Sequence, residues 1–567
     1  MMLRTAFGWL FPRNKTALFL AAVSVHLCVG IGQAGPSSGM PCDPGNPIIH
    51  GGSENSGKPG SRGGPGSAGN PDSTGGQGSV FRSGLSRMAG TPQTPFWLHA
   101  NRDGLIPLNT RNNLLAFGAF HTSLLRSSGF AERTRAGLDA GFRLDARLSD
   151  GDNRLGFSQL YLHFRALGWQ LSAGRFHDPV GLGSEGPLTT GSMLVSRNAL
   201  QPFRLRLSTP GFLPVPLTGG SVSFRASWSE SVTTDDRFVD RSRIHQKYLY
   251  LKVRPVGEVH LTAGIVHNLM WGGTHPELGR MHDTVGDWLS DVFIRGDDNV
   301  FGNVTPLGNS LGAYDFGAEY RSRTWSAGLF RQFYIEDGQS LDLPNPWDGM
   351  WRVYVDLQDP ARPNRPVRYI AYEHINTKKQ DADPWDAIGR GRYYSHNVWR
   401  DGWLHHGQVL GTPLILIDPD RIGSRDRTLV NNIVLAHHVG LAGHIGGPVS
   451  YELMATFSRN YGICDDQTAG LSCNGSPEEP VRERDRYVSY RELRRDRYSF
   501  MLRLALPVQA LFGTLPPAIS GASPDVEWAQ GLELHISTAV DAGAFHERPL
   551  FGFEAGMRLS LPGRRQE

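Results

Sequence analysis

Two glycine-framed motifs in this 567-residue chain have the spacing of known chemistry. Gly308-Asn-Ser-Leu-Gly312 has the G-x-S-x-G spacing of a nucleophile elbow. There a strand must turn sharply into a helix so that the serine hydroxyl stands clear of the sheet. Here a run of period 2, Tyr314 to Arg321, follows where the helix should begin, so a barrel esterase or phospholipase using Ser310 with one of the 20 histidines stays only as an alternative. Gly181-Leu-Gly-Ser-Glu-Gly186 has the G-x-G-x-x-G spacing of a dinucleotide loop. That loop needs a helix N-terminus to meet the pyrophosphate, and Pro187-Leu-Thr-Thr-Gly191 does not open one. His405-His406 and His437-His438 with His444 invite a metal reading. Adjacent residues of a strand point to opposite faces, and no H-E-x-x-H or paired C-x-x-C occurs, so no metal or other cofactor is expected. Acidic pairs such as Asp297-Asp298 carry no specificity as glycosidase carboxylates among 54 acidic residues. No catalytic residue is expected.

The stretches that hold the strongest signal mix aromatic rings with hydrogen-bonding groups. Trp288 lies between Asp287 and Asp291, Trp347-Asp348 is followed by Trp351, and Tyr393 to Leu414 packs two tyrosines, two tryptophans and three histidines into 22 residues. Flat rings stack on the apolar faces of sugars while Asp, Asn, Arg and His bond the hydroxyls. On that chemistry Trp288, Trp347, Trp351, Trp399, Arg400, Asp401, Trp403, His405 and His406 form the candidate carbohydrate-binding set. The same composition also suits an interfacial belt or a packed loop inside a barrel. Asp401-Gly402 and Gly411-Thr412-Pro413 read equally well as turns that keep the fold.

The elements that would position these residues read as strands. Ala140, Phe142, Leu144, Ala146 and Leu148 alternate with Gly141, Arg143, Asp145 and Arg147. Similar alternation recurs from Val222 to Trp228, Tyr314 to Arg321, Phe500 to Leu506, Leu532 to Asp541 and Phe551 to Leu561. Period 2 sends one set to each face of a strand. Several runs have about 9–11 residues, the length a tilted strand needs to cross a bilayer. Alternation alone suits a soluble sandwich as well. Charges of both signs on the polar face, uneven connections and an aromatic, amphipathic last strand favour an all-β, antiparallel transmembrane barrel of roughly 16–20 strands.

Residues 1–34 read as a secretory signal: Arg13 and Lys15 precede the apolar run Thr16 to Ile31, and Gly32-Gln33-Ala34 has a small-x-small cleavage pattern. After Ile31 no run of 18 apolar residues occurs, which excludes a helical membrane protein. Residues 35–94 read as a disordered linker, with 16 glycines, 8 prolines and a single aromatic ring, Phe81, among residues 35–92. Residues 95–567 are then the barrel. Cys464 and Cys473 enclose a polar loop and are expected to pair in an oxidising compartment; Cys28 leaves with the signal, which makes Cys42 odd. A net charge of +3, spread along the chain, gives no argument for nucleic acid.

Several segments, in order, resemble the Wzi-type capsule assembly family of outer-membrane proteins. They are Pro95-Phe-Trp-Leu-His-Ala-Asn101, His245-Gln-Lys-Tyr-Leu-Tyr-Leu-Lys252 with Trp271-Gly-Gly273, Gly308-Asn-Ser-Leu-Gly-Ala-Tyr-Asp315, Glu336-Asp337-Gly338, and Tyr393-Tyr394 through Asp401-Gly-Trp403 to Gly411-Thr-Pro-Leu414. The resemblance implies a barrel of about 18 strands in the cell outer membrane, its lumen closed by loops. It implies a non-catalytic, lectin-like role with capsular or extracellular polysaccharide as partner, beside outer-membrane lipid and the polysaccharide export machinery. It also gives Ser310 a place in a structural motif. The helical bundle that precedes the barrel in the family's best-studied branch has no counterpart in the Gly/Pro/Ser segment. The resemblance assigns no ligand contacts, so the carbohydrate-binding set rests on chemistry alone. A channel for sugars or other small solutes is the first alternative function.

Overall fold

A computed structural model describes residues 79–126, 136–150, 153–184, 188–281, 284, 286, 288, 308–336, 346–380, 393–463, 481–483, 486–488, 494–512 and 531–562. Their main sheet has nineteen strand segments. Phe203–Ser208 and Leu213–Pro214 both pair along Val222–Val232, so they are two pieces of one interrupted strand and the sheet has eighteen staves. In chain order these are β1 (Val80–Gly90), β2 (Asn112–Arg126), β3 (Gly137–Ser149), β4 (Arg154–Ala166), β5 (Trp169–Arg175), β6 (Phe203–Ser208 with Leu213–Pro214), β7 (Val222–Val232), β8 (Arg243–Val253) and β9 (Val259–Trp271). They continue as β10 (Asn309–Arg321), β11 (Trp325–Ile335), β12 (Gly349–Leu357), β13 (Tyr369–Asn376), β14 (Val434–His444), β15 (Ser450–Asn460), β16 (Arg495–Pro507), β17 (Leu532–Ala542) and β18 (Leu550–Pro562). Each stave pairs antiparallel with its sequence neighbour, and β1 closes on β18 with Val80 opposite Pro562. Closure leaves no edge strand in the barrel wall.

The two faces of the wall are those of a membrane barrel turned inside out relative to a soluble core. Outward positions expose Leu251, Leu261, Ile265, Phe316, Leu329 and Val353. Aromatic rings flank this band: Trp169, Tyr320 and Trp325 lie towards one end, Trp351, Tyr372 and Tyr498 towards the other. Inward positions bury Asp315, Gln332, Arg352, Glu373, Arg497 and Glu554. A sandwich would bury the apolar face instead, so burial settles what alternation left open.

The barrel begins at Val80, not at Pro95, which corrects the linker boundary read from composition. The sequence of β1, VFRSGLSRMAG, is rich in Ser and Gly because lumen and neighbours leave little room. A Cβ on Gly84 would lie 2.3 Å from the Phe117 ring. Such a strand is stabilised by pairing with β2 and β18, contacts that local composition does not display.

Long connections gather at one end of the barrel, including 91–111, 176–202, 272–308, 377–433 and 461–494. The opposite end carries shorter connections, Leu167–Gly168 and 322–324 among them, apart from 508–531. Cys464 and Cys473 lie outside the described residues.

Candidate functional site

Three of the long connections fold into the lumen rather than away from it. The first, 91–111, carries a short helix, α1 (Phe96–His99), whose four residues are all buried. Phe96 N–H donates to Asp541 Oδ2 on β17 (2.9 Å), and Trp97 Nε1 donates to Thr456 Oγ1 on β15 (3.1 Å). Arg102 makes a two-pronged bond to Glu554 on β18, both contacts at 2.8 Å. Asp103 then ties this connection to the second one, accepting from Arg197 Nη2 at 2.8 Å with His177 Nε2 at 3.1 Å.

The second connection, 176–202, is seated on inward carboxylates and amides of the wall. Glu373 on β13 accepts from Thr189 Oγ1 (2.6 Å), Thr190 N (2.8 Å) and Thr190 Oγ1 (2.5 Å), and pairs with Arg352 on β12. Gln332 Oε1 on β11 accepts from Met193 N at 2.9 Å, and Asp315 Oδ2 on β10 accepts from Leu182 N at 3.2 Å. Each of these buried carboxylates therefore has hydrogen-bond donors, as the low-dielectric interior requires.

The third connection contains the aromatic-polar stretch and packs against the second. Ser196 N donates to Leu410 O (2.8 Å), Ser196 Oγ to Gly411 O (2.6 Å), Asn198 Nδ2 to Val409 O (3.0 Å), and Tyr394 Oη to Met193 O. Asp401 is a knot: its carboxylate accepts from Phe238 N (2.6 Å), Thr428 Oγ1 (2.5 Å) and Gly423 N (3.1 Å). Gly402 has φ +66°, and a Cβ there would lie 1.9 Å from Tyr394 O, so only glycine fits. Where the stretch starts, Asp348 accepts from Gln380 N (2.6 Å), Lys379 N (3.0 Å) and Tyr393 Oη (3.0 Å).

This geometry separates the candidate set. Trp399, Asp401, Trp403 and His405 come together in the plug and are buried within it. His405 Nδ1 lies 2.6 Å from Leu200 O. Arg400 and His406 sit half-buried at the plug's surface; Arg400 bonds Arg425 O, and His406 N–H donates to Asp235 Oδ2 at 2.9 Å. Trp347 lies at the long-loop rim and is 63% exposed. Trp351 points out of the wall into the upper aromatic belt. Trp288 is half-buried against the outside of β7 and β8, donating to Glu230 Oε1 at 3.0 Å and packing on Trp228. The set is thus not one surface.

The residues that matter most for the plug were not in that set: Asp315, Gln332, Glu373, Asp541 and Glu554. Their only sequence signal is a carboxylate or amide at a lumen-facing position of an alternating strand. The loop groups they bind lie far away in the chain.

Ser310 is on the outer face of β10, with its hydroxyl 3.3 Å from His267 Nε2. Among the described residues His267 Nδ1 has no partner, so no third group orients the imidazole. His437 points outward to Tyr372 Oη (2.8 Å) while His438 points inward to Thr456 Oγ1 (2.8 Å). Among the described residues no group of three or more His, Cys, Asp or Glu side chains could hold a metal ion.

Burial sets the protonation of the plug's ionisable groups. It pulls the His99 imidazole down to about 4, with Asp541 offsetting only part. It also lowers His177 despite Asp103, and holds His405 well below the usual histidine value. Burial opposes ionisation of Asp103, but Arg197 and then His177 outweigh it and keep the carboxyl well below the carboxylate range.

Below the plug the described residues leave a space in the lumen. A cavity of about 770 Å³ runs from Arg102 and Asp103 to Lys252 and Arg321 beside the tight turns.

A closed barrel with a lipid-facing band, two aromatic belts and a lumen filled by its own loops is a plugged β-barrel of the outer membrane. The family model described as capsule assembly protein Wzi matches residues 109–414, more than half of the chain, and the chain belongs to that family. No curated protein matches it significantly. Among solved structures it is similar to Wzi of Escherichia coli, described as an outer-membrane protein involved in group 1 capsule assembly and a carbohydrate-binding β-barrel. That match has 14% identity, a TM-score of 0.46, and covers 84% of this chain and 83% of the other. It is also similar to OccK5 of Pseudomonas aeruginosa (10% identity, TM-score 0.40, 86% and 98% covered) and to OprD of the same organism (11%, 0.40, 87% and 98%). None of these structural likenesses bears on what the chain binds.

Proposed function

We propose that this protein is a non-catalytic barrel that binds capsular or extracellular polysaccharide and helps to assemble or retain it at the cell surface. The observation that carries this reading is the occupied lumen. Three connections are bonded to the wall and to one another, so the long-loop end is a platform rather than a mouth. Long loops face outward in barrels of this class, which puts that platform at the cell exterior. Trp347 at the rim, with the half-buried Arg400 and His406, offers a ring face and donors to a repetitive polymer. Individually weak contacts then add by multivalency. The buried Trp399, Asp401, Trp403 and His405 serve by shaping that platform.

A deletion strain tests the reading. Polymer shed into the medium with synthesis intact is the expected result; unchanged retention at the surface sinks it. A channel function is the competing reading, and planar-bilayer recordings of the purified protein separate the two. The plug predicts little conductance.

A further inference from the structure

The barrel wall is weakly paired beside the point where the second connection leaves it. β5 and the first piece of β6 share five register pairs, from Gln170 opposite Ser208 to Gly174 opposite Arg204, and that piece shares six with β7. The next two seams, β7–β8 and β8–β9, have eleven each. Below Ser208 the strand breaks off over Thr209–Phe212 and resumes as Leu213–Pro214, paired with β7 alone. Pro210, in the break, has no N–H to give to a ladder. A short ladder has fewer cross-strand hydrogen bonds to lose, so it opens locally at a lower free energy than a long one. Leu171, Leu205 and Leu207 are exposed on the outer side of the seam, so what lies across it from the lumen is lipid.

The first residues of the connection 176–202 brace this stretch from the lumen side. Phe176 is buried, and its ring touches both neighbours of β5. His163 on β4 meets it edge-on, with 5.1 Å between ring centres. The guanidinium groups of Arg204 and Arg206 on β6 lie 4.4 and 4.7 Å from its centre. Arg204 Nη2 also donates to Phe176 O. Asp178 pairs with Arg206 and reaches Arg225 on β7 at 3.7 Å. One ring and one carboxylate of the plug thus tie β4, β6 and β7 together behind the short β5. Arg206 is buried, and taking away the carboxylate paired with a buried guanidinium is strongly unfavourable.

We propose that the β5–β6 seam is a latched lateral opening between lumen and bilayer, kept shut by Phe176 and Asp178. With the second connection seated, the ring and the carboxylate hold β6 in the wall. When that connection lifts, the latch leaves with it and β6 parts from β5. Movement of the plug therefore opens the wall sideways as well as the lumen lengthwise. This does not depend on which polymer the long-loop end holds.

The test is thiol labelling of the full-length protein in lipid vesicles. Ser172→Cys places a thiol on the buried inner face of β5, opposite Arg206. Ser458→Cys does the same on β15, whose two seams have eleven register pairs each. A maleimide carried on a lipid tail is confined to the bilayer, and its adduct is read at each position by mass spectrometry. Adding Asp178→Asn, or the milder Phe176→Leu, is expected to speed labelling at position 172 at least tenfold and to leave position 458 unchanged. Resistance of the unheated barrel to detergent unfolding shows which variants are folded. Unaltered labelling at position 172 in both folded latch variants overturns the proposal. So does equal acceleration at 172 and 458, which marks general loosening. A water-soluble maleimide that shows the same acceleration at 172, with no gain for the lipid-borne one, also overturns it, because the thiol is then reached through the lumen.

Discussion

The two halves of this lumen solve the same problem in opposite ways. Both are lined by inward polar residues of the same eighteen staves. In the long-loop half every wall carboxylate described above meets a loop N–H, a hydroxyl or a guanidinium, and the space is filled. In the turn half the described residues leave a cavity. The difference teaches that inward charge is not by itself a sign of a pore. Matched with loop donors it acts as a set of sockets for a plug.

The most disruptive way to break the comparison is to unseat the plug. Glu373→Ala removes the acceptor for Thr189 and Thr190 and leaves Arg352 buried without its carboxylate. A loss of about 3–5 kcal/mol is expected, read as a lower unfolding midpoint in urea together with new conductance in planar bilayers. Conductance equal to that of wild type would mean that the second connection is held by other contacts.

Gly402→Ala places a Cβ against Tyr394 O in a backbone conformation that alanine disfavours. A cost on the order of 3 kcal/mol is expected. It should appear as proteolytic cleavage within 393–431 while the barrel itself stays folded.

Lowering the pH should weaken the plug. Free histidine titrates near 6.5, but His99, His177 and His405 have lower values in the folded plug. The unfolded plug therefore takes up protons first. The stability these groups contribute is complete above about pH 6.5 and falls as the pH drops towards the folded values, about 4 for His99. Asp103, held low by its partners, adds a further loss only below the usual carboxylate range. Conductance should rise several-fold between pH 7 and pH 4.5. A conductance that ignores pH would show that the plug does not open locally.

The smallest structural effect is expected at the rim. Trp347→Ala touches an exposed ring and should change stability by under about 0.5 kcal/mol. Shedding of surface polymer should nonetheless increase. If Trp399→Phe, inside the plug, sheds polymer while Trp347→Ala does not, the loop end works through its shape rather than through that ring.

Much of the architecture was legible before any coordinates. The alternation in β3, β10, β16, β17 and β18 named both faces of those strands, since a pleated strand imposes period 2 whatever it later packs against. Strand β1 was not legible, because its Ser- and Gly-rich sequence looks like the linker before it. The candidate site was legible only as composition. Rings beside Asp, Arg and His occur in a sugar-binding surface and in a lumen plug alike.

The chain's sequence by itself determined an all-β barrel with an apolar outside, a polar inside and a loop stretch dense in aromatics. Those properties are local, written in the order of neighbouring residues. Only the tertiary structure decided that Trp399, Asp401, Trp403 and His405 are buried and that Trp347 is exposed at the rim. These outcomes depend on contacts such as Thr190 with Glu373, Phe96 with Asp541 and Arg102 with Glu554, which are 183, 445 and 452 residues apart. A lumen carboxylate's role as a socket is set by what closure of the barrel brings opposite it.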